Sequence, residues 1–187
     1  MRKLLHLALI TFCAALLSAQ ETPTAKPVAP PPLSFKQVLL FQFNETEKKL
    51  VSLAEAIPEE KYAWRPADGV RSISEVIMHE AGANVFFLTF IGVKPPAGFK
   101  PTDEKTVTEK AKVVQALKDS FAHLKQNVSA LSDDDMMKTG KFMNFGNQTY
   151  QSILFVMSDH MHEHLGQLIA YARTNGVVPP WSKGKEN

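Results

Sequence analysis

The chain has 187 residues, enough for one domain with a real hydrophobic core. Its formal charge is +2, and once Arg2 and Lys3 are set aside with the N-terminal segment that holds them, the remaining Lys and Arg balance the 19 Asp and Glu. That balance excludes a general nucleic-acid binder, which needs a basic patch, and gives no reason to expect binding to an anionic membrane.

Residues 1–19 read as a secretory signal. Arg2 and Lys3 form its positive start, Leu4 to Leu17 its apolar run, and Leu17-Ser18-Ala19 a cleavage site before Gln20. The run is too short to span a bilayer comfortably, so no stable membrane insertion is expected after removal and the protein is expected to be exported, periplasmic or secreted. Cys13 is the sole cysteine and lies in that run. The mature chain therefore has no disulfide, no thiolate ligand and no cysteine nucleophile. Residues 20–32, QETPTAKPVAPPP, are proline-rich without apolar periodicity and read as a disordered tether.

A first helix is expected from about Ser34 to Ala56, with Phe35, Leu39, Phe43, Leu50, Leu53 and Ile57 on its apolar stripe and Pro58 as its stop. The link that follows carries Trp64 and Arg65, placed to cover one end of a bundle, and an Asp68-Gly69 turn. Ser72-Ile-Ser-Glu75 is a capping box that opens a second helix, about 73–91, with the stripe Val76, His79, Ala83, Phe86, Phe90. A long loop, about 92–105, leads to a second apparent capping box, Thr106 to Glu109. The third helix has the clearest bundle seam, Val114, Leu117, Phe121, Leu124, Val128 and Leu131. His123 lies beside that seam and reads as solvated. Residues 132–148 read as a loop. Asp133, Asp134 and Asp135 lack the glycine and closing glutamate of a calcium loop. The last helix runs from near Thr149 to a stop at Gly176, with Trp181 placed to pack back on the bundle before a tail at 182–187.

Four helical segments without an alternating strand pattern predict an all-α four-helix bundle over residues 33–181. The long second and third links leave room for a crossover connection.

The chemistry lies on the second and fourth helices. Helical geometry stacks residues i and i+4 on one face and turns i+2 away, so His160 and His164 can converge on one ion while His162 cannot easily join them. Both occupy core positions of the stripe Ile153, Met157, His160, His164, Leu168, Tyr171. Inward imidazoles cost desolvation unless they are paired, and a metal ion is an efficient partner. His79 supplies a third imidazole from another core face. Three histidines with an open position are the ligand set of a catalytic zinc site, and imidazole also suits nickel, iron and copper. Gln167 sits one turn after His164, and Glu163 neighbours the pair as a candidate acid or base. Glu80 and Asn84 lie near His79 and are expected to face outward. The segment also spells H-x-x-E-H, in which Glu163 would be the general base of a metalloprotease. That reading lacks its downstream acidic ligand, since Glu186 in the tail is the sole acid after the motif.

YAWRPADGVRSISEVIMHE, followed much later by HMHEHLGQLIAYARTNG, resembles the DinB-like superfamily, which includes the YfiT-type proteins, over roughly Leu33 to Trp181. The resemblance implies a four-helix bundle with a crossover connection, a homodimer, and a divalent metal, zinc or nickel above all, held by His79, His160 and His164. It further implies a metal-dependent hydrolase or transferase acting on a small-molecule substrate it does not identify. A non-catalytic metal-binding or interaction module on the same bundle is the alternative.

Overall fold

A computed structural model describes residues 31–101 and 103–184 of the chain. The expected signal sequence and all but the last two residues of the expected tether lie outside the described residues, as do Thr102 and the last three positions of the tail. Four long helices form the bundle: α1 (Phe35–Ala56), α2 (Ile73–Thr89), α4 (Lys110–Ala130) and α6 (Tyr150–Thr174). Two single-turn helices, α3 (Asp103–Thr106) and α5 (Asp133–Met136), and a hairpin of β1 (Thr139–Lys141) with β2 (Asn147–Thr149) fill the links. The strands are antiparallel, with Gly140 opposite Gln148.

The helices start where local chemistry satisfies their free amide groups. Ser34 caps α1 in a capping box with Gln37, and Ser72 caps α2 in the expected box with Glu75, whose Oε2 accepts from the Ser72 amide at 2.7 Å. The expected box from Thr106 to Glu109 does not form. Thr106 closes α3, with the Val107 amide donating to the Asp103 carbonyl, and Glu109 caps α4 without a side-chain bond. The acidic run that is not a calcium loop is a helix start: Ser132 and Asp135 cap α5, and all three aspartates sit in its first turn, where a helix favours negative charge. At the other end of the chain, Gly176 takes φ +75° and the Val177 amide returns to the Ala172 carbonyl, which stops α6.

Packing sets the topology. α1 lies against α4 and α6, and α2 lies against the same two helices. Helices consecutive in sequence, α1 with α2 and α4 with α6, therefore occupy the diagonals, so the links after α1 and after α4 cross the bundle. This is the crossover arrangement, although the short first link takes part in it as well as the longer third. The core interleaves Leu39, Phe43, Leu50 and Leu53 of α1 with Leu117, Phe121 and Leu124 of α4 and Ile153, Leu154 and Leu168 of α6, all 2 % exposed or less. Each such side chain contributes roughly 1.5–3 kcal/mol on burial. Phe35 and Phe86 depart from their expected stripes and stand 43 % and 49 % exposed. Phe35 lies on the first turn of α1, and on α2 Phe87 takes the buried position in place of Phe86. No helix among the described residues is long and apolar enough to cross a membrane.

Candidate metal centre

His79 on α2 meets His160 and His164 on α6, two helices that pack side by side. One ring nitrogen from each lies within 4.8 Å of the other two. The ring centroids are 5.3 Å apart for His79 and His160, 4.7 Å for His79 and His164, and 4.5 Å for His160 and His164. Among the described residues this is the one group of three or more potential ligating side chains gathered in this way. His162, two positions out of phase, turns to α1. Its Nδ1–H donates to the Ser158 carbonyl at 2.6 Å, and its Nε2 accepts from the Thr46 hydroxyl at 3.3 Å.

Hydrogen bonds fix two of the three rings. His79 Nδ1 donates to Glu104 Oε2 at 2.9 Å, and Glu104 Oε1 accepts from Arg71 Nε at 2.7 Å. His164 Nδ1 donates to Gln167 Oε1 at 2.9 Å, and Gln167 Nε2 donates to the Tyr171 hydroxyl at 3.0 Å. Tyr171 in turn meets the edge of Trp64 at 5.2 Å, so the Trp64 expected to cover a bundle end braces this chain of bonds. With Nδ1 engaged, His79 and His164 keep the Nε2 lone pair free. His160 Nε2 is buried and has no hydrogen-bond partner. Glu163, named with the cluster from sequence, is on the solvent side: its side chain is 69 % exposed and its Oε2 lies 3.9 Å from His160 Nδ1, beyond hydrogen-bond range.

The electrostatics favour the neutral form of the two α6 rings. Burial, reinforced by His164, His79 and Arg71, lowers the His160 pKa to about 4. Burial also lowers that of His164, against the opposing bond to Gln167. Burial tends to raise Glu104, but its hydrogen bonds from Arg71 and His79 win and hold it below the usual carboxylate range, so it is an anion behind His79. Three clustered imidazoles, two with Nδ1 already bonded and the third with an orphaned buried Nε2, fit a divalent cation.

Two expectations near the site are corrected. Glu80 and Asn84 do not face outward; they are 1 % and 0 % exposed, in the face of α2 that packs on α4. Asn84 Nδ2 donates to the Ser120 hydroxyl at 3.1 Å, while both Glu80 oxygens lack a partner and burial raises its pKa to about 8. His123 is not solvated: it is half-buried, its Nε2 is covered and unpartnered, and Asn127 bonds its carbonyl. The residues that sequence reasoning missed are Glu104 and Arg71. Glu104 sits in the long second link, where no periodicity marks a side chain as inward-facing, and its neighbour in space is 25 residues away.

His79 and His160 also line a cavity of about 640 Å³ that reaches from the cluster to the β1–β2 turn. Glu104 forms part of its wall, and on its other side Glu104 faces a polar pocket bordered by Arg65, Arg71, Lys105 and Gln167.

Comparison with solved structures finds the same architecture. A DinB-like protein from Bacillus cereus superposes with a TM-score of 0.65 at 20 % identity, covering 78 % of this chain and 93 % of that one. YfiT from Bacillus subtilis, described as a probable metal-dependent hydrolase with an unusual four-helix bundle topology, gives 0.60 at 17 % identity over 82 % of this chain and 94 % of its own. The DinB-like protein YjoA from Bacillus subtilis gives 0.60 at 17 % identity over 75 % and 94 %. No curated protein matches the chain. Residues 42–168 match the DinB superfamily, a span that contains all three clustered histidines, α2 and α4 entire, and most of α1 and α6. With that match and that fold, the chain belongs to the DinB superfamily.

Proposed function

We propose that His79, His160 and His164 hold one divalent metal ion through their Nε2 atoms, and that the protein is a metal-dependent hydrolase or transferase acting on a small molecule. The observation that carries this is the orphaned His160 Nε2, buried beside two rings whose Nδ1 atoms are already bonded. Zinc and nickel are the ions proposed, both suited to an all-imidazole set. Such an ion, held by these three residues, would supply Lewis acidity toward a substrate oxygen. The chain's own part is to hold the rings. Glu104 fixes the tautomer of His79, Gln167 that of His164, and burial keeps His160 unprotonated. Glu163 stands behind His160 at its Nδ1 and with a small rotation would accept that proton's hydrogen bond. YfiT, of the same fold, is described as a probable metal-dependent hydrolase, which favours the hydrolytic branch.

The non-catalytic alternative needs a closed site. The cavity beside His79 and His160 favours catalysis instead, because it gives a small molecule access to the cluster. Hydrolysis of p-nitrophenyl esters is expected to stop on chelation, to return with zinc or nickel, and to be absent from His160→Ala. Hydrolysis that survives in His160→Ala contradicts the proposal. A metal-loaded protein that turns over no ester, amide or thiol-transfer substrate supports the non-catalytic module.

Export and self-association belong to the same proposal. Export rests on the charge and apolar pattern of residues 1–19, and N-terminal sequencing of the protein from cell fractions should find Gln20 or a near neighbour first. A second copy of the chain is the proposed protein partner, and light scattering should give twice the chain mass.

A further inference from the structure

The cavity that opens on the cluster is apolar almost throughout. Beyond His79, His160 and Glu104, its wall is built from Phe86, Phe87, Phe99, Pro95, Pro101 and Met143, with Thr89 as the one remaining polar side chain. The Thr89 hydroxyl is already donated to the Phe86 carbonyl at 2.6 Å. No side chain of the wall away from the cluster therefore offers a free hydrogen-bond donor or a cation. A charged or strongly polar group placed there would lose its hydration without replacement. At about 640 Å³ the space is that of a small-ligand site.

Two local features keep it open. Gly82 and Ala83 put the smallest side chains of α2 against it, and a Cβ built on Gly82 meets nothing within 4 Å. Opposite, the β1–β2 hairpin is pressed onto the end of α2. Gly140 sits so close to the Phe90 carbonyl that a Cβ there would lie 2.1 Å from its oxygen, and Phe142 packs edge-on against Phe90 at 5.0 Å. The turn that follows holds Met143 at φ +45°, the one non-glycine residue with positive φ among the described residues, and sets its side chain in the cavity wall. The mouth is apolar too, with Phe86 49 % and Met143 41 % exposed.

We propose that this cavity is the subsite for an uncharged hydrophobic substrate segment, an aryl or medium-chain acyl group, whose single polar reacting group lies at the His79–His160 end. The assignment rests on the metal reading for the polar end and on the cavity alone for the apolar end. The specificity-determining residues are then Gly82, Phe86 and Met143.

Two probes separate these parts. In chelator-treated protein, the uncharged apolar dye N-phenylnaphthylamine should bind with enhanced fluorescence. Its affinity should fall at least tenfold in Gly82→Leu, which fills the space, and severalfold in Phe86→Ala, a surface change that spares the fold. It should be unchanged in Phe155→Ala, an exposed phenylalanine on α6 outside the cavity wall. In zinc-loaded protein, a series of linear hydroxamic acids from two to eight carbons should bind about three- to fourfold more tightly per added methylene until the cavity is full. Gly82→Leu should abolish that gain while leaving zinc content and acetohydroxamate affinity as in wild type. Dye binding that ignores Gly82→Leu and Phe86→Ala, or that follows Phe155→Ala, overturns the subsite, and so does an affinity independent of chain length. If no zinc is retained while the dye still responds to Gly82→Leu, the metal reading fails and the apolar subsite stands.

Discussion

Glu104 Oε2 accepts a hydrogen bond from His79 Nδ1 at 2.9 Å, tying a single-turn helix in the second link to the one imidazole that α2 contributes. The same carboxylate accepts from Arg71 just ahead of α2, so it ties both the start of α2 and its histidine to the second link. Removing the carboxylate frees the ring to rotate and lets Nδ1 compete with Nε2. Glu104→Ala is therefore expected to weaken zinc or nickel binding by about 10–100-fold without loss of helicity. Glu104→Gln, which keeps an acceptor for His79, should recover part of that loss. Isothermal titration of metal into the three proteins checks this, and equal affinities in all three would remove Glu104 from the account.

Glu80 makes stability depend on pH. Its pKa in the folded chain, about 8, lies above the ordinary 4.5 because the site is buried and offers its carboxylate no partner. Above pH 4.5 the unfolded chain releases a proton that the folded chain retains. Stability from this group is thus complete below that pH and is lost progressively up to about pH 8. Glu80→Gln should flatten the decline and be the more stable protein at pH 8 and above. Thermal melts in chelator across this range give the answer, and parallel curves for the two proteins would show Glu80 to be ionised or solvated.

His160 acts with the opposite sign. Its folded pKa of about 4 is depressed from 6.5, so the metal-free fold is stabilised above 6.5 and loses that contribution as pH falls toward 4. The acid limb of the same melts should therefore soften in His160→Ala. A limb unchanged by the substitution would mean that the ring is not desolvated.

Two glycine-to-alanine changes should move stability in opposite directions. Gly166 lies within α6 and a Cβ there meets nothing, so Gly166→Ala should stabilise by about 1 kcal/mol from helix propensity alone. At Gly140 the new Cβ would fall 2.1 Å from the Phe90 oxygen, so the hairpin must shift, at a cost of about 1–3 kcal/mol. Urea denaturation resolves both, and destabilisation by Gly166→Ala would point to a packing partner for that face.

Local periodicity made the bundle and the paired histidines legible in the sequence. The 3.6-residue repeat placed Ile153, Met157, Leu168 and Tyr171 in the core with His160 and His164 between them, and the same arithmetic turned His162 away. The Ser72–Glu75 box and the Gly176 stop were readable because each is settled within a few residues. The hairpin and Glu104 were not, because they owe their positions to partners far along the chain. Gly140 fits only against Phe90, and Glu104 faces inward only because Arg71 and His79 meet it there. Glu80 was misplaced for a related reason. One step along α2 from a residue at the cavity is a face that packs on α4, and the cost of burying a lone carboxylate gave no hint of it.

Metal content decides the central claim. Protein prepared without a histidine tag, stripped, reloaded with zinc or nickel and desalted should carry one ion per chain by plasma mass spectrometry. His160→Ala should carry close to none with an unchanged far-ultraviolet circular dichroism spectrum, while His162→Ala should match wild type. One tightly held ion in His160→Ala, or none in wild type, would contradict a shared site at His79, His160 and His164.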